Sequence, residues 1–289
     1  MKPLFIAAIF AGLFTFSAAG QAPEPNPAPS LDDQLRNAAS DGDLSAIEQL
    51  LGKGAAIGAA DDGGDTPLIL AAMTGKTEAV KLLLAKGANI EEKDQQSYTP
   101  LFAAVTGGYT ETVKFLLAKG ANIEAPDNSG QSPLYWAAMS GKIDLINVLL
   151  DSHAQIEARN AMGQTPLMGA ALAGKLDAVT LLLSRGANIE AGDNNGLTPL
   201  MGASERGETA TVKLLLDKGA NIHARDKSGV TPLIWACVES NKWDDSDLVA
   251  LLLQRGARID DRDNHGGTAL TAAGKKTQVV DVLRAHGAQ

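Results

Sequence analysis

TPLMGAALAGKLDAVTLLLSRGANIEAGDNNG, residues Thr165 to Gly196, is one copy of a unit from which nearly the whole chain is built. The Thr165 hydroxyl can accept a bond from an unpaired first-turn N–H, and Pro166 has no N–H to leave unpaired, so a short helix begins here. Its apolar run ends near Gly174. A second amphipathic run, Asp177 to Arg185, stops at Gly186, a residue suited to the left-handed position that closes a helix. Asp193-Asn194-Asn195-Gly196 then supplies turn chemistry before the next Thr198-Pro199-Leu200. The unit reads as helix, turn, helix, joined to its successor by a protruding hairpin-like finger.

The unit recurs. Thr66, Thr99, Ser132, Thr165, Thr198 and Thr231 stand 33 residues apart and all precede Pro-Leu, and Thr268-Ala269-Leu270 follows after 37. A fixed period of this length signals a stack of repeats in which each copy contacts only its neighbours. The period, the Thr-Pro-Leu step, Gly-Ala-Asn-Ile and the Asp-x-x-Gly turn together resemble the ankyrin repeat, whose counterpart of the second motif is Gly-Ala-Asp-Val. The resemblance covers residues 31–289. It implies an all-α repeat solenoid of about eight ankyrin repeats, each a helix-turn-helix plus a β-hairpin-like finger, two of them caps. Two departures stand out. The family's histidine after Thr-Pro-Leu is replaced by Ile69, Phe102, Tyr135, Met168, Met201 and Ile234, which exchanges a Thr–His side-chain bond for apolar packing. The final Asn of the family's finger is replaced by Glu91, Glu124, Glu157 and Glu190, expected to form a solvated stripe with neighbours about 10 Å apart.

The amino-terminal region is different in kind. Met1-Lys2 precedes an uncharged apolar run from Pro3 to Ala19 that ends in Ser17-Ala18-Ala19-Gly20. A brief positive start, an apolar segment and small residues before the cut describe a secretory signal peptide over residues 1–20, cleaved after Ala19 or Gly20. The run is slightly short for a bilayer span, and no cysteine follows for lipid attachment. QAPEPNPAPS, residues 21–30, is a proline-rich extended linker. The repeat domain occupies residues 31–289.

In the first copy Asp33, Gln34 and Leu35 replace the Thr-Pro-Leu step, and Asp32, Asp33, Arg36 and Asn37 give the polar outer face that a terminal repeat needs. The leucine row Leu51, Leu84, Leu117, Leu150, Leu183, Leu216 and Leu253 is expected to be the buried ladder, ending at Arg284. Just before the helix-closing glycine a row of cations, Lys53, Lys86, Lys119, Arg185, Lys218, Arg255 and His286, faces the negative end of the helix dipole. His153 stands where other copies have glycine and is expected to tolerate a left-handed backbone at a cost. The seventh copy carries four extra residues, Asn241 to Asp244, with Ser246 as the expected new N-cap and Trp243 unexplained by the repeat. Cys237 fills a small-residue slot, so core packing is its expected state.

No catalytic constellation emerges. Gly169 to Lys175 mimics a phosphate loop, but Leu176 replaces the required Ser or Thr and the segment is helical. Gly202-Ala203-Ser204-Glu205-Arg206 lacks the second glycine of a hydrolase elbow. His153, His223, His265 and His286 lack paired metal-ligand spacing. No enzyme activity, cofactor or metal is therefore expected. A formal charge of −9 disfavours nucleic acid and anionic membrane surfaces as partners.

What remains is surface. The resemblance implies a protein partner contacted by the fingers and by the ends of the first helices. Carried onto this chain, the candidates are Lys93, Gln95, Gln96, Tyr98, Asn128, Gln131, Met139, Arg159, Met162, Gln164, Leu172, Asn194, Leu197, Arg206, Arg225 and Val230. Tyr98, Met139, Met162, Leu172, Leu197 and Val230 would form an apolar track rimmed by Arg159, Arg206 and Arg225, a composition suited to protein. The expected function is a non-enzymatic scaffold that docks a partner protein on the concave face of the solenoid in the periplasm, without stable membrane insertion after signal cleavage. The competing reading is a secreted effector or inhibitor, of immunity type, that binds a host protein or a toxic enzyme.

Overall fold

The computed structural model describes residues 28–238 and 246–289. The expected signal peptide, residues 21–27 of the linker and the insertion with Trp243 lie outside the described residues. Sixteen helices form eight successive pairs among the described residues. They are α1 (Leu31–Asp41) with α2 (Leu44–Gly52), α3 (Pro67–Met73) with α4 (Thr77–Ala85), α5 (Pro100–Gly107) with α6 (Thr110–Ala118), and α7 (Pro133–Met139) with α8 (Ile143–Asp151). The series continues with α9 (Pro166–Leu172) and α10 (Leu176–Ser184), α11 (Pro199–Glu205) and α12 (Thr209–Asp217), α13 (Pro232–Cys237) and α14 (Ser246–Gln254), and α15 (Ala269–Ala273) and α16 (Thr277–Ala285). First helices pack on first helices of the next repeat and second on second, so the core is one continuous layer. No strand occurs among the described residues; the fingers are turns.

The local chemistry follows the sequence closely. From α3 to α13 each first helix starts at a Thr or Ser whose hydroxyl accepts the N–H three residues on, at 3.2–3.4 Å, with proline in the first position. The donors of those bonds are the backbones of Ile69, Phe102, Tyr135, Met168, Met201 and Ile234, and their side chains are at most 4% exposed. Apolar packing thus replaces the histidine contact. Second helices close where the glycine turns left-handed, as at Gly186 with φ +91°, and Ala187 N–H returns to the Leu182 carbonyl at 3.0 Å. His153 adopts φ +68° in that place, a conformation that costs an L-residue about 1–2 kcal/mol. Helix α14 begins at Ser246 itself, so the residue expected as its cap is already within the first turn.

The buried leucine ladder lies one residue earlier than the sequence suggested. Leu83, Leu116, Leu149, Leu182, Leu215, Leu252 and Leu283 are fully buried and Leu50 nearly so, whereas Leu51, Leu84, Leu117, Leu150, Leu183, Leu216 and Leu253 are half-buried against the outside of the core. Successive helical residues point about 100° apart, so a Leu-Leu-Leu run fills the core and its shoulder alike. The deep row continues to Leu283, and exposed Arg284 replaces the shoulder residue at the end of the stack.

The amino-terminal cap is built from polar groups. Ser30 and Asp33 form a reciprocal capping box, and the Ser30 hydroxyl and N–H hold the Asp33 carboxyl below the usual carboxylate range. The cation row has a further use beyond the dipole. Lys86 approaches Glu48 at 3.9 Å, Arg185 pairs with Asp151 at 2.8 Å and Arg255 with Asp217 at 2.8 Å, each acid belonging to the preceding repeat. Such exposed pairs contribute about 0.2–1 kcal/mol each.

Candidate partner-binding face

The fingers are seven copies of one hydrogen-bonded turn. Asp94 shows the pattern: its Oδ1 accepts from the N–H of Gln96 at 2.8 Å and of Tyr98 at 2.7 Å, while its own N–H donates to the Tyr98 carbonyl at 3.2 Å. Asp61, Asp127, Asn160, Asp193, Asp226 and Asp263 repeat it. Short polar side chains do this because their oxygen reaches the backbone two residues on. Ser97 holds φ +65° where the other fingers have glycine, and its hydroxyl donates to Asn128 Oδ1 at 2.6 Å.

Neighbouring fingers are then bonded edge to edge. The N–H of Gln95, Asn128, Ala161, Asn194, Lys227 and Asn264 each donates to a carbonyl of the preceding finger, at 2.9–3.0 Å. Finger tips carry carbonyls that no strand partner satisfies, and polar side chains from the next repeat fill that need.

This fixes the fate of several candidate contact residues. Gln95 Nε2 donates to the Asp62 carbonyl, Asn128 Nδ2 to the Gln95 carbonyl and Asn194 Nδ2 to the Ala161 carbonyl. Arg159 donates to the carbonyls of Gly163 and Gly192, and Arg225 to those of Gly229 and Arg262 while pairing with Asp261 at 2.6 Å. These five residues hold the finger row together; Arg159 and Arg225 are not an unattached rim. Gln164 accepts from the Tyr135 hydroxyl at 2.9 Å. Leu197 is only 8% exposed, so it is corrected from surface anchor to core. Leu197 and Leu172 both reach the space that Gly202 leaves by lacking a Cβ.

The candidates left to face solvent are Lys93, Gln96, Met162 and Arg206, exposed, with Tyr98, Gln131, Met139, Leu172 and Val230 half-buried. Met162, at a finger tip, is 65% exposed.

The glutamate stripe is also more than a solvated row. Glu91, Glu124, Glu157 and Glu190 each accept the backbone N–H of Asn122, Gln155, Asn188 and Asn221 in the next repeat, all at 2.7 Å. The residue spacing showed the periodicity but not the acceptor role, because the carboxylate reaches across to the next repeat rather than to its own counterpart.

Sequence reasoning missed Trp136 and Trp235 of the first helices and the ring contacts made around Phe102. Tyr98 stacks on Phe102 with centroids 4.5 Å apart, and Phe102 meets Trp136 edge-on at 6.2 Å. Trp136 Nε1 donates to Asp127 Oδ2 at 3.3 Å and Trp235 Nε1 to Asp226 Oδ2 at 3.0 Å. The signal was present: an Asp followed nine residues later by Trp occurs in these two repeats.

Chemically the face offers binding groups. Cys237 is fully buried and burial pushes its thiol up to about 12, so it is uncharged at neutral pH. Among the described residues no group of three or more His, Cys, Asp or Glu is placed to hold a metal ion, and no helix is long and apolar enough to cross a membrane.

Comparison with known proteins agrees with this architecture. A family model described as "Ankyrin repeats (3 copies)" matches residues 35–127, 124–193 and 200–289. The crystal structure of the human ASB11 ankyrin repeat domain is similar at a TM-score of 0.67 and 27% identity, covering 78% of this chain and 98% of that one. The ankyrin repeat domain of Bcl-3, a member of the IkappaB protein family, is similar at a TM-score of 0.64 and 34% identity, covering 77% of this chain and all of that one. No curated protein matches the chain. Ankyrin domains are protein-binding modules. With the family model spanning most of its length, the eightfold helix pairs and the bonded finger row, the chain belongs to the ankyrin-repeat family.

Proposed function

We propose that this chain is an exported, non-enzymatic scaffold that docks a partner protein on its finger face in the periplasm. The observation that carries the reading is a division of labour on that face. Gln95, Asn128, Asn194, Arg159 and Arg225 are consumed in holding fingers together, while Tyr98, Met139, Met162, Leu172 and Arg206 remain at least partly open. Repeat stacks use such extended faces for binding, and aromatic residues, Met and Arg are the types enriched in interface cores. The leader supports export, since it has the charge, length and small-residue pattern of a cleavable signal.

The test uses the mature chain, residues 21–289, as bait in a cell-envelope extract, with amino-terminal sequencing of the native protein from the same fraction. The native chain is expected to begin at Gly20 or Gln21. A partner is expected to be captured by the wild type and by Glu111→Gln, and its affinity to fall about five- to thirtyfold for each of Met162→Ser and Arg206→Ala, as for interface anchors. Intact Met1 would end the export reading, and undiminished capture by both variants would end the docking reading.

A further inference from the structure

One end of the finger face carries a charge that the fold does not use. Asp65 precedes the Thr-Pro step, a position held by uncharged residues in every later repeat, from Tyr98 to Gly267. Its Oδ1 is shielded from solvent and accepts no hydrogen bond. Its backbone already completes the finger, the N–H donating to Asp61 Oδ1 and the carbonyl accepting from Asp61 N–H. Burial first, then the charges of Asp61 and Asp94, push its carboxyl above the usual range. A shielded carboxylate without a donor destabilises the chain that carries it.

Beside it stands the aromatic cluster. Tyr98 occupies the same position one repeat on, about 10 Å away at the spacing of packed helices. It is half-buried and lies flat on Phe102, whose ring is fully buried, and Trp136 closes the group edge-on and half-exposed. The field of Asp94 reaches both Asp65 and Tyr98. The aromatic shelf thus stands in the field of Asp127 and Asp94, with the unpartnered Asp65 one repeat away, at one end of the face proposed above for docking.

We propose that the shelf of Tyr98 and Trp136 over Phe102, edged by Asp65, receives an arginine-bearing extended segment of the partner protein. The inference rests on the finger-face reading. The planar guanidinium stacks on aromatic faces better than an ammonium does, and its positive charge offsets the negative charge of Asp65, whose Oδ1 is itself closed to a partner. Charge decides the occupant. The chain's own proline-rich segment, residues 21–30, carries Glu24 and no cation, so it would add to the repulsion. The Asp65 carboxylate then exchanges stability of the free chain for affinity, a trade common where binding groups are held unpaired.

Titration calorimetry of the mature chain with capped hexaarginine and hexalysine peptides at moderate salt tests this. Hexaarginine should bind several-fold more tightly than hexalysine. Asp65→Asn and Tyr98→Ala should each weaken hexaarginine about five- to thirtyfold, while Glu111→Gln, which removes the same charge from a second helix, should stay within about twofold. Asp65→Asn should also melt at a higher temperature than the wild type, so its lost affinity cannot be ascribed to unfolding. That gain has a defined sign with pH: because the folded carboxyl titrates above its ordinary value, the gain is present at neutral pH and vanishes below about pH 4. Equal losses in Asp65→Asn and Glu111→Gln, no loss in Asp65→Asn or in Tyr98→Ala, or hexalysine binding as tightly as hexaarginine would overturn the inference. None of these outcomes touches the finger-face reading, which is tested separately at Met162 and Arg206.

Discussion

Leu182→Ala should lower the unfolding free energy by about 2–5 kcal/mol, while its neighbour Leu183→Ala should cost only about 1–2 kcal/mol. Both are leucines of one helix, α10, and sequence alone favoured Leu183 as the buried member. The difference arises because Leu182 is fully enclosed between α8, α12 and the first-helix layer, whereas Leu183 keeps part of its surface in water. Removing an enclosed side chain leaves a cavity that rigid helices on both sides cannot close, and a half-exposed one leaves an opening that water fills. Urea unfolding of the two variants beside the wild type measures the contrast. Equal losses would mean that the deep row is not where the structure places it.

Phe102→Ala should be the most damaging single change in the first-helix layer, at about 3–5 kcal/mol. Phe102 is fully buried and is the ring on which Tyr98 stacks and which Trp136 meets edge-on. Its loss removes apolar burial and two aromatic contacts, each worth about 0.5–1.5 kcal/mol beyond area. Phe102→Leu keeps most of the volume and should cost far less. Thermal unfolding gives the ranking, and tryptophan fluorescence, compared with that of a Trp136→Phe chain to remove the signal of Trp235 and Trp243, reports whether the shelf reorganises. A variant that loses under 1 kcal/mol with unchanged fluorescence would contradict the packing described.

The repeat architecture was legible because its determinants are local. A Thr-Pro step caps a helix wherever it occurs, a closing glycine turns left-handed, and Asp folds its own finger; none of these needs information from a distant residue. The misreadings share the opposite character. Leu182 and Leu183 differ only in which side the neighbouring repeats cover. Leu197 looks like a variable surface residue until the missing Cβ of Gly202 gives it a place to go. Arg159 and the glutamates at 91, 124, 157 and 190 carry exposed charges in the sequence, and their partners are backbone groups in the next repeat, which leave no mark on composition. The candidate face suffered most because polar finger residues serve either the stack or a partner, and only geometry separates the two uses. Phe102 is legible as apolar packing in place of a histidine, but not as the ring on which Tyr98 stacks and which Trp136 meets edge-on.

We propose that the partner lies along the fingers and first-helix ends. Amide hydrogen exchange of the mature chain, alone and saturated with its captured partner, measures this most directly. Binding should slow exchange over residues 95–98, 161–164, 139–140 and 172–174, and leave the outer turns of α6, α8, α10 and α12 unchanged. Protection confined to those second helices, with the fingers exchanging as in the free chain, would contradict the account.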